Sequence, residues 1–101
     1  MASMDVERLE ALAARLEAIP AVARLALDGE PGGWRVAYNL METEEAGLKI
    51  VRHLIPALEA ATTREAAEDA LHDLREEVRH LLYHVVDCGL FEDMLPTEQS
   101  A

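Results

Sequence analysis

Asp28-Gly29-Glu30-Pro31-Gly32-Gly33-Trp34-Arg35-Val36-Ala37-Tyr38-Asn39-Leu40-Met41 is the stretch on which the fold class turns. Its glycine- and proline-rich first part is the densest turn signal in the chain. In the second part Trp34, Val36, Tyr38 and Leu40 alternate with Arg35, Ala37, Asn39 and Met41, the period of a half-buried strand. A strand needs a partner for its backbone groups, and residues 21–27 across the turn supply the nearest one, with Leu25 and Leu27 on one face. Residues 21–27 also have fair helix propensity, and only their setting between Pro20 and the glycines argues for β. The stretch predicts a β-hairpin. Its glycines match no phosphate-binding loop, since there is no Gly-x-Gly-x-x-Gly and no Lys-Ser or Lys-Thr follows.

Helical patterns flank the hairpin. Upstream, Val6, Leu9, Leu12, Leu16 and Ile19 form an apolar stripe that Ser3 or Asp5 can cap, and Pro20 stops it. Downstream, Thr43 can cap a helix with Leu48, Val51, Leu54, Ile55 and Leu58 inward, which Pro56 should kink or split. The longest pattern runs from Thr63 to Cys88. Thr62 or Thr63 caps it, and Thr62 with Glu65 fits a capping box. Ala67, Leu71, Leu74, Val78, Leu81 and Val85 form its stripe, and Gly89 sits where a left-handed terminating residue belongs. Leu90, Phe91, Met94 and Leu95 make an apolar tail ended by Pro96, with residues 97–101 frayed.

The fold class expected is α+β. One domain of order α-β-β-α-α lays a two-stranded antiparallel hairpin on three helices, with one long C-terminal helix. A lone hairpin is barely stable and leaves both edges open. The long helix, at about 1.5 Å per residue, also outruns a small domain. Both features point to a homodimer, with Val85, Val86, Leu90 and Phe91 among the residues a second chain would cover.

The 101 residues carry a formal charge of −11, and half are apolar. That composition excludes disorder and argues against nonspecific contact with nucleic acid or anionic lipid. The acid is concentrated after residue 41, with fourteen acids there against five basic residues. Cys88 is the single cysteine, so no intramolecular disulfide forms. No signal-peptide pattern opens the chain, and the reading is a cytoplasmic protein.

Three function classes follow. The first is a non-enzymatic interaction module, an adaptor, inhibitor or chaperone-like partner without cofactor. It would dock a basic protein surface through Glu65, Glu68, Asp69, Asp73 and Glu76, or an apolar one through Leu90, Phe91 and Met94. The second is a metal-dependent sensor or enzyme using His80, His84 and Cys88, spaced four residues apart on the long helix. Against it, helical geometry turns His80 and His84 away from the apolar stripe toward solvent, and no firm fourth ligand is in view, so no metal is expected. Cys88 beside His84 lacks the third group that a nucleophile–base pair requires, and His53 and His72 stand alone. The third class is small-ligand binding near Trp34 and Tyr38.

Overall fold

The computed structural model describes residues 5–87 and 89–94; these form helices joined by short turns, with no strand and no sheet. Helix α1 spans Val6–Glu17, α2 Pro20–Ala23, α3 Gly32–Lys49, α4 Ile55–Ala60, α5 Arg64–Leu82 and α6 Leu90–Met94. Two π-helical turns, Ile50–Leu54 and Tyr83–Asp87, extend α3 and α5. The α+β class and the hairpin are therefore incorrect; the protein is all-helical.

The correction lies in the opening stretch. Residues 34–41 are helical, and the alternation misassigns the faces as well as the period. Arg35, Ala37, Asn39 and Met41 are buried, while Tyr38 and Leu40 are exposed. An alternating octet also contains the helical set Trp34, Ala37, Tyr38 and Met41, so the pattern alone does not separate the two periods. Gly32 and Gly33 are the first turn of α3 rather than part of a loop. A side chain on Gly33 would collide with the Ala13 carbonyl oxygen and, at 2.6 Å, with the Glu17 nitrogen. The glycines thus let α1 and α2 approach the helix start closely. Glu17 completes the junction by accepting a 2.7 Å hydrogen bond from the Gly33 N–H, a donor that the first turn otherwise leaves unpaired. Of the hairpin only its turn remains. Asp28 and Gly29 both have positive φ, and Leu27 and Glu30 exchange two backbone hydrogen bonds in one isolated bridge.

Thr43 does not start a helix; its hydroxyl donates to the Asn39 carbonyl 2.8 Å away, one turn back inside α3. Pro56 follows the first π-turn, where the Ile55 N–H reaches the Ile50 carbonyl. The wider turn takes up the missing donor without a break in the helix. Asp5 caps α1, Thr63 rather than Thr62 caps α5, and Gly89 has φ +79°. Pro20 occupies the first turn of α2. Ser3, Cys88, Leu95, Pro96 and the tail 97–101 lie outside the described residues.

Helix α3 is the centre. Its N-terminal half packs on α1 through Leu9, Ala13, Ala37 and Met41, the two helices antiparallel because Glu17 meets Gly33 and Arg8 pairs with Glu44. A second cluster, Leu25, Val36 and Leu90 with Met94 against it, seats the turn and α6 on the same half. Buried Arg35 ties these parts together, donating to the Leu25 carbonyl (3.0 Å) and the Asp93 carboxylate (2.7 Å). Beyond Ala46 the chain is a two-helix hairpin, α3 through α4 against α5. There Val51, Ile55, Leu71 and Val78, expected to face inward, are exposed. No helix among the described residues is long and apolar enough to cross a membrane.

Candidate metal centre

The seam between α3 and α5 carries polar groups where apolar ones are usual. Along α3 the residues facing α5 are Asn39, Glu42, Ala46 and Lys49, recurring at three- and four-residue steps. From α5 and the π-turn come Glu77, His80 and His84. Lys49 pairs with Glu77 at 3.0 Å. One turn further on, three ligand atoms converge. The Nε2 atoms of His80 and His84 are 3.1 Å apart, and Glu42 Oε2 lies 3.3 Å from the first and 3.7 Å from the second.

His84 is buried, not turned to solvent. The face that α5 buries, marked by Ala70, Leu74, Glu77 and Leu81, is rotated from the apolar stripe by about 60° at 100° per residue. His84 falls on that buried face. It also sits in the π-turn, whose extra residue per turn alters the side-chain stagger. His80 stays at the edge, with its side chain 43% exposed.

Neighbours on both helices set the ring tautomers. Asn39 Nδ2 donates to the Arg35 carbonyl at 2.8 Å, so its Oδ1 is the atom that faces His84 Nδ1 at 2.7 Å. The amide oxygen can only accept, so Nδ1 carries the proton and Nε2 of the neutral ring presents its lone pair. His80 Nδ1 lies 2.9 Å from the Glu77 carboxylate, which accepts the Nδ1 proton. The Nε2 atoms of both imidazoles and a carboxylate oxygen thus face one place. Burial, and secondarily the neighbouring His80, push the His84 pKa below its ordinary value against the opposing pull of Glu42. For Glu77 burial is the largest single influence and acts upward, but hydrogen bonds to His80 and Lys49 outweigh it and hold the carboxyl below its usual range. These shifts favour the neutral imidazole at His84 and the ionised carboxylate at Glu77, the forms that serve a metal site.

The spacing matches a metal polyhedron. Bonds of about 2.0–2.1 Å in a tetrahedral arrangement separate ligand atoms by about 3.3–3.4 Å, midway in the range found here. Each imidazole has the outer hydrogen bond that metal-bound histidines commonly carry, one to an amide and one to a carboxylate. Two partly exposed aromatic rings flank His84, Tyr83 and Tyr38 lying edge-on to it at 5.1 and 5.9 Å. His80 also lines a shallow depression with Glu76, Arg79, Leu82 and Tyr83 on the solvent side.

The other singled-out residues do not converge in this way. Glu65, Glu68, Asp69, Asp73 and Glu76 are exposed along the outer side of α5, with Glu68 paired to Arg64 (2.8 Å) and Glu76 to Arg79 (3.9 Å). Leu90 and Met94 pack in the core, and Phe91 is exposed. Trp34 stacks on Tyr38 at 6.2 Å, which places the aromatic pair beside the centre. Glu42 and Asn39 had no signal in their local sequence; only the helical reading of residues 34–49 puts them on the face that meets His84. No protein-family model matches the chain, and no curated protein and no solved structure is significantly similar to it.

Proposed function

We propose that this protein reversibly binds a divalent transition-metal ion, zinc foremost, through Glu42 Oε2, His80 Nε2 and His84 Nε2, with a fourth position left for an external ligand. The observation that carries this reading is the convergence of three lone-pair atoms at 3.1–3.7 Å with both histidine tautomers set by outer hydrogen bonds. Two imidazoles and a carboxylate suit zinc and the neighbouring first-row ions, and disfavour magnesium and calcium. A closed structural cage takes four protein ligands; three, one of them at the solvent edge, is the donor count of a site that admits water or a small anion. The depression beside His80 gives such a ligand its approach. Docking of a basic partner on the acids of α5 is the weaker reading, because those carboxylates are spread along the helix and meet at no common point.

Titration of chelator-treated protein with zinc, followed by calorimetry, tests the proposal. One ion per chain is expected, with affinity reduced at least about 100-fold in Glu42→Gln and in His84→Ala. His72→Ala, on the exposed side of α5, should bind as the parent does. A parent protein that takes up no zinc at micromolar concentration, or a His84→Ala variant that binds normally, overturns it.

A further inference from the structure

We infer that a second copy of this chain packs on the open apolar flank of the α3–α4/α5 hairpin, the two hairpins together forming a four-helix bundle. Leu71, Val78 and Leu82 form one stripe of α5, at 51%, 38% and 45% exposure. They adjoin half-buried Leu74 and Leu81, and from the other arm Val51 is 64% exposed. Around α5, Leu71, Val78 and Leu82 lie about 90° to one side of the face that meets α3 and His80 about 90° to the other, with Leu82 reaching the depression that His80 lines. The same flank of α3 is already covered at its N-terminal end, where Val36 meets Leu25 and Leu90. The core stops there and the apolar surface continues.

The molecule exposes more surface than a compact monomer of its size. Its extents are 53 × 34 × 19 Å, an elongated body that leaves the hairpin flank uncovered. The radius of gyration is 17.1 Å, against about 13 Å for a compact domain of this length. The accessible surface is 7250 Å², about 1,500 Å² more than a compact monomer of this mass exposes. Half of that excess, contributed by each of two copies, makes an interface of about 1,500 Å², the size of a stable one.

Charge placement favours a copy of the same chain despite the net −11. Taking the Leu71–Val78–Leu82 stripe as origin, Arg64, Arg75 and Arg79 fall within about 80° of it around α5, as does Glu68, which pairs with Arg64, whereas Glu65, Asp69, Asp73 and Glu76 fall about 120° or more away. Two copies related by a two-fold axis therefore meet through apolar side chains bordered by three arginines and Glu68, with Glu65, Asp69, Asp73 and Glu76 turned outward. Leu82 and Arg79 also line the depression beside His80, so this interface borders the approach to the metal centre.

Sedimentation equilibrium of the metal-free protein tests the inference. A mass of two chains is expected at about 100 µM, and Val78→Glu, which places two charges in a symmetric interface, should raise the dissociation constant at least about 100-fold. Leu27→Glu, an exposed apolar position in the turn before α3, should leave the mass unchanged. A parent of one chain's mass, or a Val78→Glu protein still dimeric at low micromolar concentration, overturns it. Thiol alkylation of Val78→Cys in a Cys88→Ser background gives a reading that needs no disruptive variant. Protection that disappears on dilution supports the interface, and full reactivity in a two-chain species refutes it.

Discussion

Asn39 has two roles, one from each end of its amide. Its nitrogen caps the Arg35 carbonyl, and its oxygen holds the proton of His84 on Nδ1. The residue touches no ligand position and acts only through His84. Asn39→Leu removes the acceptor and frees the ring to turn, and zinc affinity should fall about 10- to 100-fold, as is usual for such outer partners. Asn39→Asp keeps an acceptor at the same place and should bind within a few-fold of the parent. Equal losses in both variants would show that Asn39 merely supports packing. Arg35 is the other buried polar anchor, linking three parts of the fold through Leu25 and Asp93. Asp93 is about half exposed, so water can take over much of its role when it is lost. Asp93→Ala should therefore cost only about 1 kcal/mol in urea unfolding. Arg35→Leu, which strips the Leu25 carbonyl of its partner as well, should cost about 2–3 kcal/mol.

At the scale of elements, the glycines of α3 separate close approach from conformational cost. Gly33→Ala pushes a methyl group into the backbone of α1 and should destabilise by about 3 kcal/mol. Gly47 lies inside the same helix with nothing within 4 Å of the place a methyl group would take, and Gly47→Ala should stabilise by about 0.5–1 kcal/mol. Urea midpoints of opposite sign check both; two shifts in the same direction would contradict the α1–α3 junction. These positions also mark what the sequence could convey. Helices α1 and α5 were legible from their stripes, and Asp5, Thr63 and Gly89 from the chemistry of helix ends. Helix α3 was not. Its first turn is Gly-Gly after a proline, which reads as a loop, and its donor Gly33 is capped by Glu17 from another helix, a contact no local window contains. Thr43 sent the same false signal, its hydroxyl bonding back into the helix rather than starting one.

For the whole molecule, acid should loosen the fold in two stages. The folded-state pKa of His84 lies below its ordinary 6.5, so the unfolded chain takes up the proton first. The stability tied to neutral His84 is complete above that value and is lost as pH falls below it. Glu77 is likewise depressed from 4.5, so its contribution is present above that value and lost at lower pH. The thermal midpoint of metal-free protein should decline between pH 7.5 and 5.5 and fall again below about pH 4.5. A flat profile across the first interval would rule out a buried neutral His84. The site was half legible. The four-residue spacing of His80 and His84 was visible, but their direction was not, because α5 buries a face rotated from its most apolar stripe. What turns that face inward is the carboxylate and amide of α3, which only the folded seam brings opposite.

Glu42 and the two histidines come from distant points of one chain, and the Ala61–Thr63 connection joins their helices at the far end of the hairpin. An ion held between them would work as a removable cross-link, closing the end that the covalent chain leaves open. Like a disulfide it restricts the unfolded ensemble, but it comes and goes with free metal concentration. Docking of α5 on α3 and uptake of the ion are then one thermodynamic event. A coloured ion such as cobalt, coordinated there, would report directly on whether the two helices are together.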